Sequence, residues 1–164
     1  MDDALLSMGS RYLAARMAAA KYNERLSTQA GAAELLEVDP ATLGRWERGE
    51  MVPSNHNVGR MAALYNAPDL KDNYCAHACP LGIGRVKPVN IRPVEQVVLR
   101  LSNVSRSLED DVVRLMEIAE DGVIEEDEKD GFDEIVQKLA QISDAINVLK
   151  IVAERWKGGN ANDA

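Results

Sequence analysis

Residues 28–54 read TQAGAAELLEVDPATLGRWERGEMVPS, and this stretch contains the start and stop signals of two short helices. Ser27 and Thr28 are both good N-caps for the first helix, because either side chain can accept a hydrogen bond from a free backbone N–H. Asp39 is an equally good N-cap for the second, and Pro40 follows at the one helical position where its missing N–H costs nothing. Gly49 predicts the end of that helix.

The spacing of these two helices predicts how they are used. Leu43 and Trp46 are three residues apart and define the buried side of the second helix. Two short helices joined by a turn of about three residues have the spacing of a helix-turn-helix, whose second helix enters the DNA major groove.

Helical patterning continues on both sides of the stretch. A first helix is predicted over roughly Ser10 to Tyr22, another from Ser54 after Pro53, and one more turn or helix from "APDL" at 67–70. The chain holds only seven aromatic residues (two Trp, four Tyr, one Phe). The abundance of Ala, Leu, Val, Met and Glu therefore favours an all-α protein.

The quoted stretch resembles the lambda-repressor-like (Cro/C1-type, XRE) helix-turn-helix family over roughly residues 9–70. The residues that carry the resemblance are Gln29, Ala33, Leu36, Val38, Leu43 and the WERGE run at 46–50. The resemblance implies a five-helix DNA-binding domain. The family usually has glycine where this chain has Glu37, so we expect that position to be either helical or a mildly strained left-handed residue.

The resemblance also implies which residues meet DNA. Ala41, Thr42 and Arg45 would face the major groove, with Gly44 allowing close approach. Arg45 can donate two hydrogen bonds to guanine, and it is the expected base reader.

The same resemblance implies a set of backbone contacts. Thr28 and Gln29 would bind phosphate at the amino end of their helix, and Arg48 and Arg60 are further phosphate candidates. Glu47 is expected to pair with a base on the first helix, such as Lys21.

Residues 71–92 hold two prolines and two glycines, all between positions 80 and 88, and are interpreted as a linker. Beyond it, apolar residues recur in steps of three and four, which is typical of a heptad seam. The pattern predicts an antiparallel hairpin of two long helices over 93–157, with a turn at Asp121-Gly122 and a disordered tail over 158–164. The seam comprises Val94, Val98, Leu101, Ser105, Leu108, Val112, Leu115 and Ala119, then Phe132, Ile135, Leu139, Ile142, Ile146, Leu149, Ala153 and Trp156.

One apolar stripe per helix is poorly buried in an isolated hairpin. We therefore expect residues 93–157 to pack on a second copy, giving a homodimer, or on the amino-terminal domain. The net charge of −8 lies in this half of the chain, because residues 1–90 carry 10 basic and 10 acidic side chains. The charge of the whole chain thus does not exclude DNA binding by its first half.

Cys75, His77 and Cys79 lie within five residues, which raises the question of a metal or redox site. Structural zinc needs four ligands, and only His56 or a second copy could complete the set, so no metal site is predicted. The interpretation favoured is two reduced cysteines, and a redox-sensitive pair stays open. The acidic run at 125–128 lacks the frame of a calcium-binding loop.

The sequence shows no nucleophile–base pair and no phosphate-binding loop, so neither an enzyme nor a cofactor is predicted. No apolar run reaches the ~18 to 20 residues of a membrane span, and "MDDALLSMGS" has acids where a signal peptide is basic. A cytoplasmic location is therefore predicted.

The leading hypothesis is a dimeric regulator of transcription that binds double-stranded DNA. The rival is a protein-interaction adaptor that keeps the helix-turn-helix fold without reading DNA. A third possibility is a thiol or metal sensor acting through Cys75 and Cys79.

Overall fold

The computed structural model describes residues 3–120 and 122–160, and these contain eight α-helices and no strand. The prediction of an all-α protein is thus confirmed. The helices are α1 (Asp3–Ala19), α2 (Gln29–Leu36), α3 (Pro40–Glu47), α4 (Asn55–Leu64), α5 (Asp69–His77), α6 (Val94–Ser105), α7 (Leu108–Ile118) and α8 (Lys129–Asn160). A 3-10 turn, Glu24–Ser27, joins α1 to α2.

The chain divides into two compact units. The first runs to Val89 and also includes the chain from Ala153 onward, and the second is Asn90–Val152.

Three helices of the first unit begin at predicted caps, and of the two candidates for α2, Ser27 and Thr28, the structure uses Thr28. Thr28 Oγ1 accepts from Gly31 N at 3.1 Å, and Asp39 accepts from the backbone N–H groups of Ala41 and Thr42. Ser54 Oγ accepts from Asn57 N at 3.3 Å. Each contact satisfies a donor that the first turn of a helix leaves free, which fixes where the helix starts.

The core of the first unit is one cluster contributed by α1 to α5 and the 3-10 turn. Its largest members include Tyr12, Leu26, Leu43, Met61 and Leu70, all almost fully buried. Trp46 is also buried, as predicted. Burial raises the pKa of the phenols of Tyr12 and Tyr65 well above the usual value.

The segment predicted as a linker is partly helical, because α5 continues to His77. Asn73, fully buried in α5, donates to the backbone oxygens of Asp69 (2.9 Å) and Val89 (3.3 Å). This amide attaches the chain that follows α5 to the helix, which explains why the first unit extends past residue 70 to Val89.

The last turns of α8 also pack in the first unit. Asn66 Nδ2 donates to the backbone oxygen of Arg155 at 2.9 Å, and Arg155 Nη2 forms an ion pair with Asp69 Oδ1 at 2.5 Å. Residues 158–160 of the predicted tail belong to this helix, and residues 161–164 lie outside the described chain.

In the second unit, α6 and α7 run antiparallel to α8, as predicted for the hairpin. The first half of the hairpin is divided into these two helices. Arg100 reaches Gln141, Asp111 binds Lys138 and the Arg114 guanidinium lies beside Gly131, so the partners run in opposite directions along the chain.

The first arm was predicted as one long helix, and this detail is wrong, because it breaks at Arg106 and Ser107. Ser107 takes the cap position of α7, its hydroxyl donates to Asp111 Oδ2 at 2.8 Å, and three acids fill the first turn of α7. Acidic residues favour a new helix N-terminus at this point. The hairpin turn was predicted at Asp121-Gly122. Gly122 has a left-handed φ of 77°, and Asp121 lies outside the described residues.

Candidate nucleic-acid interface

The turn between α2 and α3 is made by a left-handed residue. Glu37 has φ 53° and ψ 46°, and Val38 N donates back to Ala33 O at 3.0 Å, which closes the end of α2. Of the two conformations expected for Glu37, the structure has the left-handed one. This turn sets the direction in which α3 leaves α2.

The first turns of α3 present the predicted groove-facing residues to solvent. Ala41 and Arg45 are exposed and Thr42 is half-buried, while Leu43 and Trp46 hold the opposite side of the helix in the core. Arg45 Nη2 donates to Thr42 Oγ1 at 3.3 Å, so these two side chains lie together. The surface at the amino end of α3 is thus small and has one cationic donor group, which is Arg45.

Gly44 is buried beneath the side chains of Gln29 and Arg48. A Cβ atom at Gly44 would lie 2.7 Å from Gln29 Nε2 and 2.9 Å from Arg48 Nη1. The missing side chain therefore allows Gln29 and Arg48 to pack across α3.

At the amino end of α2, Thr28 is exposed, but its hydroxyl is already used as the N-cap of the helix. Gln29 is half-buried, and its Nε2 donates to Glu47 Oε2 at 3.4 Å. The side-chain oxygen of Gln29 and the free N–H groups of the first turn of α2 remain the polar groups that could meet a phosphate.

Two predicted phosphate-binding arginines are held by glutamates. Arg48 makes two hydrogen bonds to Glu50, at 2.7 and 3.0 Å, and Arg60 Nη2 lies 3.2 Å from Glu37 Oε2. The hydrogen bond to Glu50 raises the pKa of Arg48, and Arg48 in turn lowers the pKa of Glu50. A phosphate that binds either arginine must compete with its glutamate.

Beneath this surface lies a buried ion pair that fastens α3 to α1. Arg16 Nε donates to Glu47 Oε1 at 2.6 Å, Arg16 Nη2 donates to Glu47 Oε2 at 3.0 Å, and Arg16 Nη1 reaches Leu26 O at 2.8 Å. Glu47 has the predicted structural role and does pair with the first helix, but Lys21 as its partner is wrong.

Arg16 was missed by the sequence interpretation, although its position offers a signal. Met8, Tyr12 and Arg16 are each four residues apart and lie on one buried face of α1. An arginine on an otherwise apolar helix face needs a buried acid. Lys21 lies beyond the end of α1 and is exposed.

No group of three or more His, Cys, Asp and Glu side chains placed to hold a metal ion occurs within residues 3–120 and 122–160. In the same part of the chain, no helix has both the length and the apolarity that crossing a membrane requires.

Comparison with known proteins agrees with this geometry. Residues 11–72 match the family model of the helix-turn-helix domain. No curated protein and no solved structure is significantly similar to the chain. Residues 11–72 therefore form a helix-turn-helix domain, which confirms the family resemblance for this part of the chain.

Proposed function

We propose that this helix-turn-helix protein is a sequence-specific regulator of transcription that binds duplex DNA as a homodimer. The observation that carries the proposal is the exposed amino end of α3, held in place by the buried Leu43, Trp46 and Glu47. A short helix that presents its first turns to solvent next to a second helix is suited to the major groove.

The proposed contacts divide into two classes. Arg45 reads a guanine edge and Ala41 or Thr42 meets a thymine methyl group. The amino end of α2, with Thr28 and Gln29, binds a phosphate, and Arg48 and Arg60 bind others once their glutamates are displaced. Gly44 contributes by letting Gln29 and Arg48 lie close to α3.

Homodimerisation through residues 93–157 is supported by the apolar surface that the second unit leaves exposed. Four side chains of the predicted seam lie in the second unit and are each more than 40% exposed: Val94, Val98, Val112 and Ile146. Apolar residues at this density on a surface favour burial against another chain. A second copy is the proposed occupant, because paired helix-turn-helix domains bind half-sites one helical turn apart.

The test of DNA reading is a selection from random duplexes, followed by titration of the selected site. We expect Arg45→Ala to weaken binding by about 1–3 kcal/mol and to relax the preference at one base pair. Arg106→Ala, between α6 and α7, removes the same charge outside the helix-turn-helix domain and should bind like the unaltered chain. Failure to select any site, or equal losses in both variants, would contradict the proposal.

The test of dimerisation is sedimentation of Val112→Glu, with Gln137→Glu as a control that adds the same charge at an exposed polar position of α8. We expect the first variant to be monomeric and to bind the selected site weakly, and the second to remain a dimer. A monomeric unaltered chain would refute this part of the proposal alone.

A second candidate is an adaptor that keeps the fold and binds a protein. The pairing of Arg48 with Glu50 and of Arg60 with Glu37 favours it, because these pairs reduce the free positive charge next to α3. In that case Arg45→Ala would leave partner binding unchanged, and no duplex would be selected.

A further inference from the structure

Cys75 and Cys79 lie together at the end of α5, in the first unit. Cys75 is in the last turn of the helix, and Cys79 follows two residues after the helix ends. Both are free and half-buried, and their thiols lie within hydrogen-bonding reach of each other. The pair is therefore partly open to small molecules.

The backbone holds the two residues close. The N–H groups of Ala78 and Cys79 both donate to Tyr74 O, at 2.8 and 3.0 Å, which wraps the chain over the last turn of α5. Gly82 then packs directly against the carbonyl of Cys75, where a Cβ would clash. Because Cys79 N donates to the carbonyl of Tyr74, the residue before Cys75, the chain turns back over Cys75 and keeps the two thiols close enough for a disulfide.

We propose that Cys75 and Cys79 form a reversible dithiol–disulfide site, oxidised by exchange with a small-molecule disulfide such as oxidised glutathione. The proposal is independent of DNA binding. Formation of this disulfide needs two adjacent thiols and no metal.

The exchange occurs in two steps. The Cys79 thiolate attacks one sulfur of the small disulfide, forming a mixed disulfide and releasing the first thiolate. That thiolate takes the proton of Cys75, whose thiolate then attacks Cys79 Sγ and releases the second. The protein loses two electrons and two protons, and the small disulfide becomes two thiols.

The environment assigns the order of the two cysteines. Burial raises the pKa of the Cys75 thiol, and the neighbouring charges of Cys79 and Asp72 add to the effect. Burial therefore makes Cys75 a poor first nucleophile and assigns it to the second step. It then acts as the resolving thiol.

The consequence of oxidation is local to the first unit. The disulfide would join the last turn of α5 to the chain after it, where Cys79 O accepts from the N–H groups of Gly82 and Ile83. Helix α5 packs against α1 and α4. The disulfide would therefore constrain the end of a helix that belongs to the core of the first unit.

The experiment equilibrates the full chain in glutathione buffers of rising oxidised-to-reduced ratio, blocks free thiols with an alkylating reagent and measures intact mass. We expect a chain that is not disulfide-linked to a second copy, has lost two hydrogens, carries no glutathione and resists alkylation at both cysteines. A dithiol reductant should restore both alkylation sites. The chain in urea should require a more oxidising ratio, because it lacks the turn that brings the thiols together.

Cys75→Ser and Cys79→Ser are the matched controls, and each should retain one glutathione as a stable mixed disulfide. Two stable glutathione adducts on the unaltered chain, or a disulfide between copies, would overturn the proposal. So would oxidation at the same ratio with and without urea. Zinc retained through dialysis by the reduced chain and lost from both variants would assign the thiols to a metal instead.

Discussion

The guanidinium of Arg16 and the carboxylate of Glu47 form a two-point ion pair, 31 residues apart in sequence, with both side chains about 95% removed from solvent. The pair joins α1 to the end of α3. Because Gln29 also donates to Glu47, the same carboxylate fixes the amino end of α2 relative to α3. The orientation of the proposed reading helix thus depends on a contact that does not itself face solvent.

Removing one partner of this pair should be strongly destabilising. We expect Glu47→Ala to lower the free energy of unfolding by about 3–5 kcal/mol, since it leaves the Arg16 charge buried and unpaired. Glu50→Ala breaks the exposed pair of Glu50 with Arg48 and should cost much less, because solvent screens an exposed ion pair. Urea unfolding followed by tryptophan fluorescence measures both, in a Trp156→Phe background that leaves Trp46 as the remaining tryptophan. Similar losses for both variants would contradict the structural role of Glu47.

At Gly9, the backbone of α1 lies close to the backbone at the end of α3. A Cβ there would lie 2.8 Å from the backbone oxygen of Glu47 and 2.9 Å from Gly49 Cα, so the backbones would have to separate. We expect Gly9→Ala to destabilise the first unit by about 1–3 kcal/mol, as overpacking does. Gly59→Ala is the control, because its Cβ would meet nothing within 4 Å. Alanine inside α4 should stabilise by about 0.5–1 kcal/mol, and melting temperatures should therefore shift in opposite directions.

Replacing the left-handed Glu37 by glycine should relieve backbone strain in the folded chain. Non-glycine residues in this conformation carry a strain of about 1–3 kcal/mol. Glycine removes this strain, but it also gives the unfolded chain more conformational freedom, which offsets part of the gain in stability. We expect Glu37→Gly to be about 1 kcal/mol more stable than Glu37→Ala, in urea unfolding. The two variants lose the same ion pair with Arg60, so that contact cancels in the comparison. Equal stability would mean that the turn is not strained.

Asp111 should make the second unit sensitive to acid. Hydrogen bonds from Lys138 (2.9 Å) and Ser107 (2.8 Å) lower the pKa of its carboxyl in the folded chain. A lowered folded pKa gives stability that is present above the ordinary Asp pKa of about 4 and is lost as the pH falls through the folded value. We expect Asp111→Asn to be less stable than the unaltered chain at neutral pH and to lose less stability on acidification. Urea midpoints measured from neutral to acidic pH test this.

Glu117→Gln serves as the control for the acid titration, since it removes an exposed carboxyl from the same helix. Its urea midpoints should follow those of the unaltered chain at every pH. A pH dependence in Asp111→Asn as steep as that of the unaltered chain would contradict the assignment.

The parts of the fold that the sequence predicted are those decided by contacts a few residues long. The caps at Thr28, Asp39 and Ser54 involve donors two or three residues away, so the residue types alone fix the helix starts. The burial of Trp46 follows from its spacing to Leu43. The break at Ser107 was missed because the apolar spacing of three and four continues through it, while the contact of its hydroxyl with Asp111 is not visible in that pattern.

The candidate site likewise has features that the sequence predicted and contacts that were seen only in the structure. The spacing of the two short helices predicted the helix-turn-helix, and the periodicity of Leu43 and Trp46 predicted the buried face of α3. The family resemblance implied that Arg45 lies on the opposite, exposed face. The pairing of Arg16 with Glu47 and of Arg60 with Glu37 became visible only in the folded chain. The same holds for the extent of the first unit, which reaches Val89 and includes the end of α8. These contacts join residues that are distant in sequence, and a charged or amide side chain finds such a partner only once packing has brought the helices together.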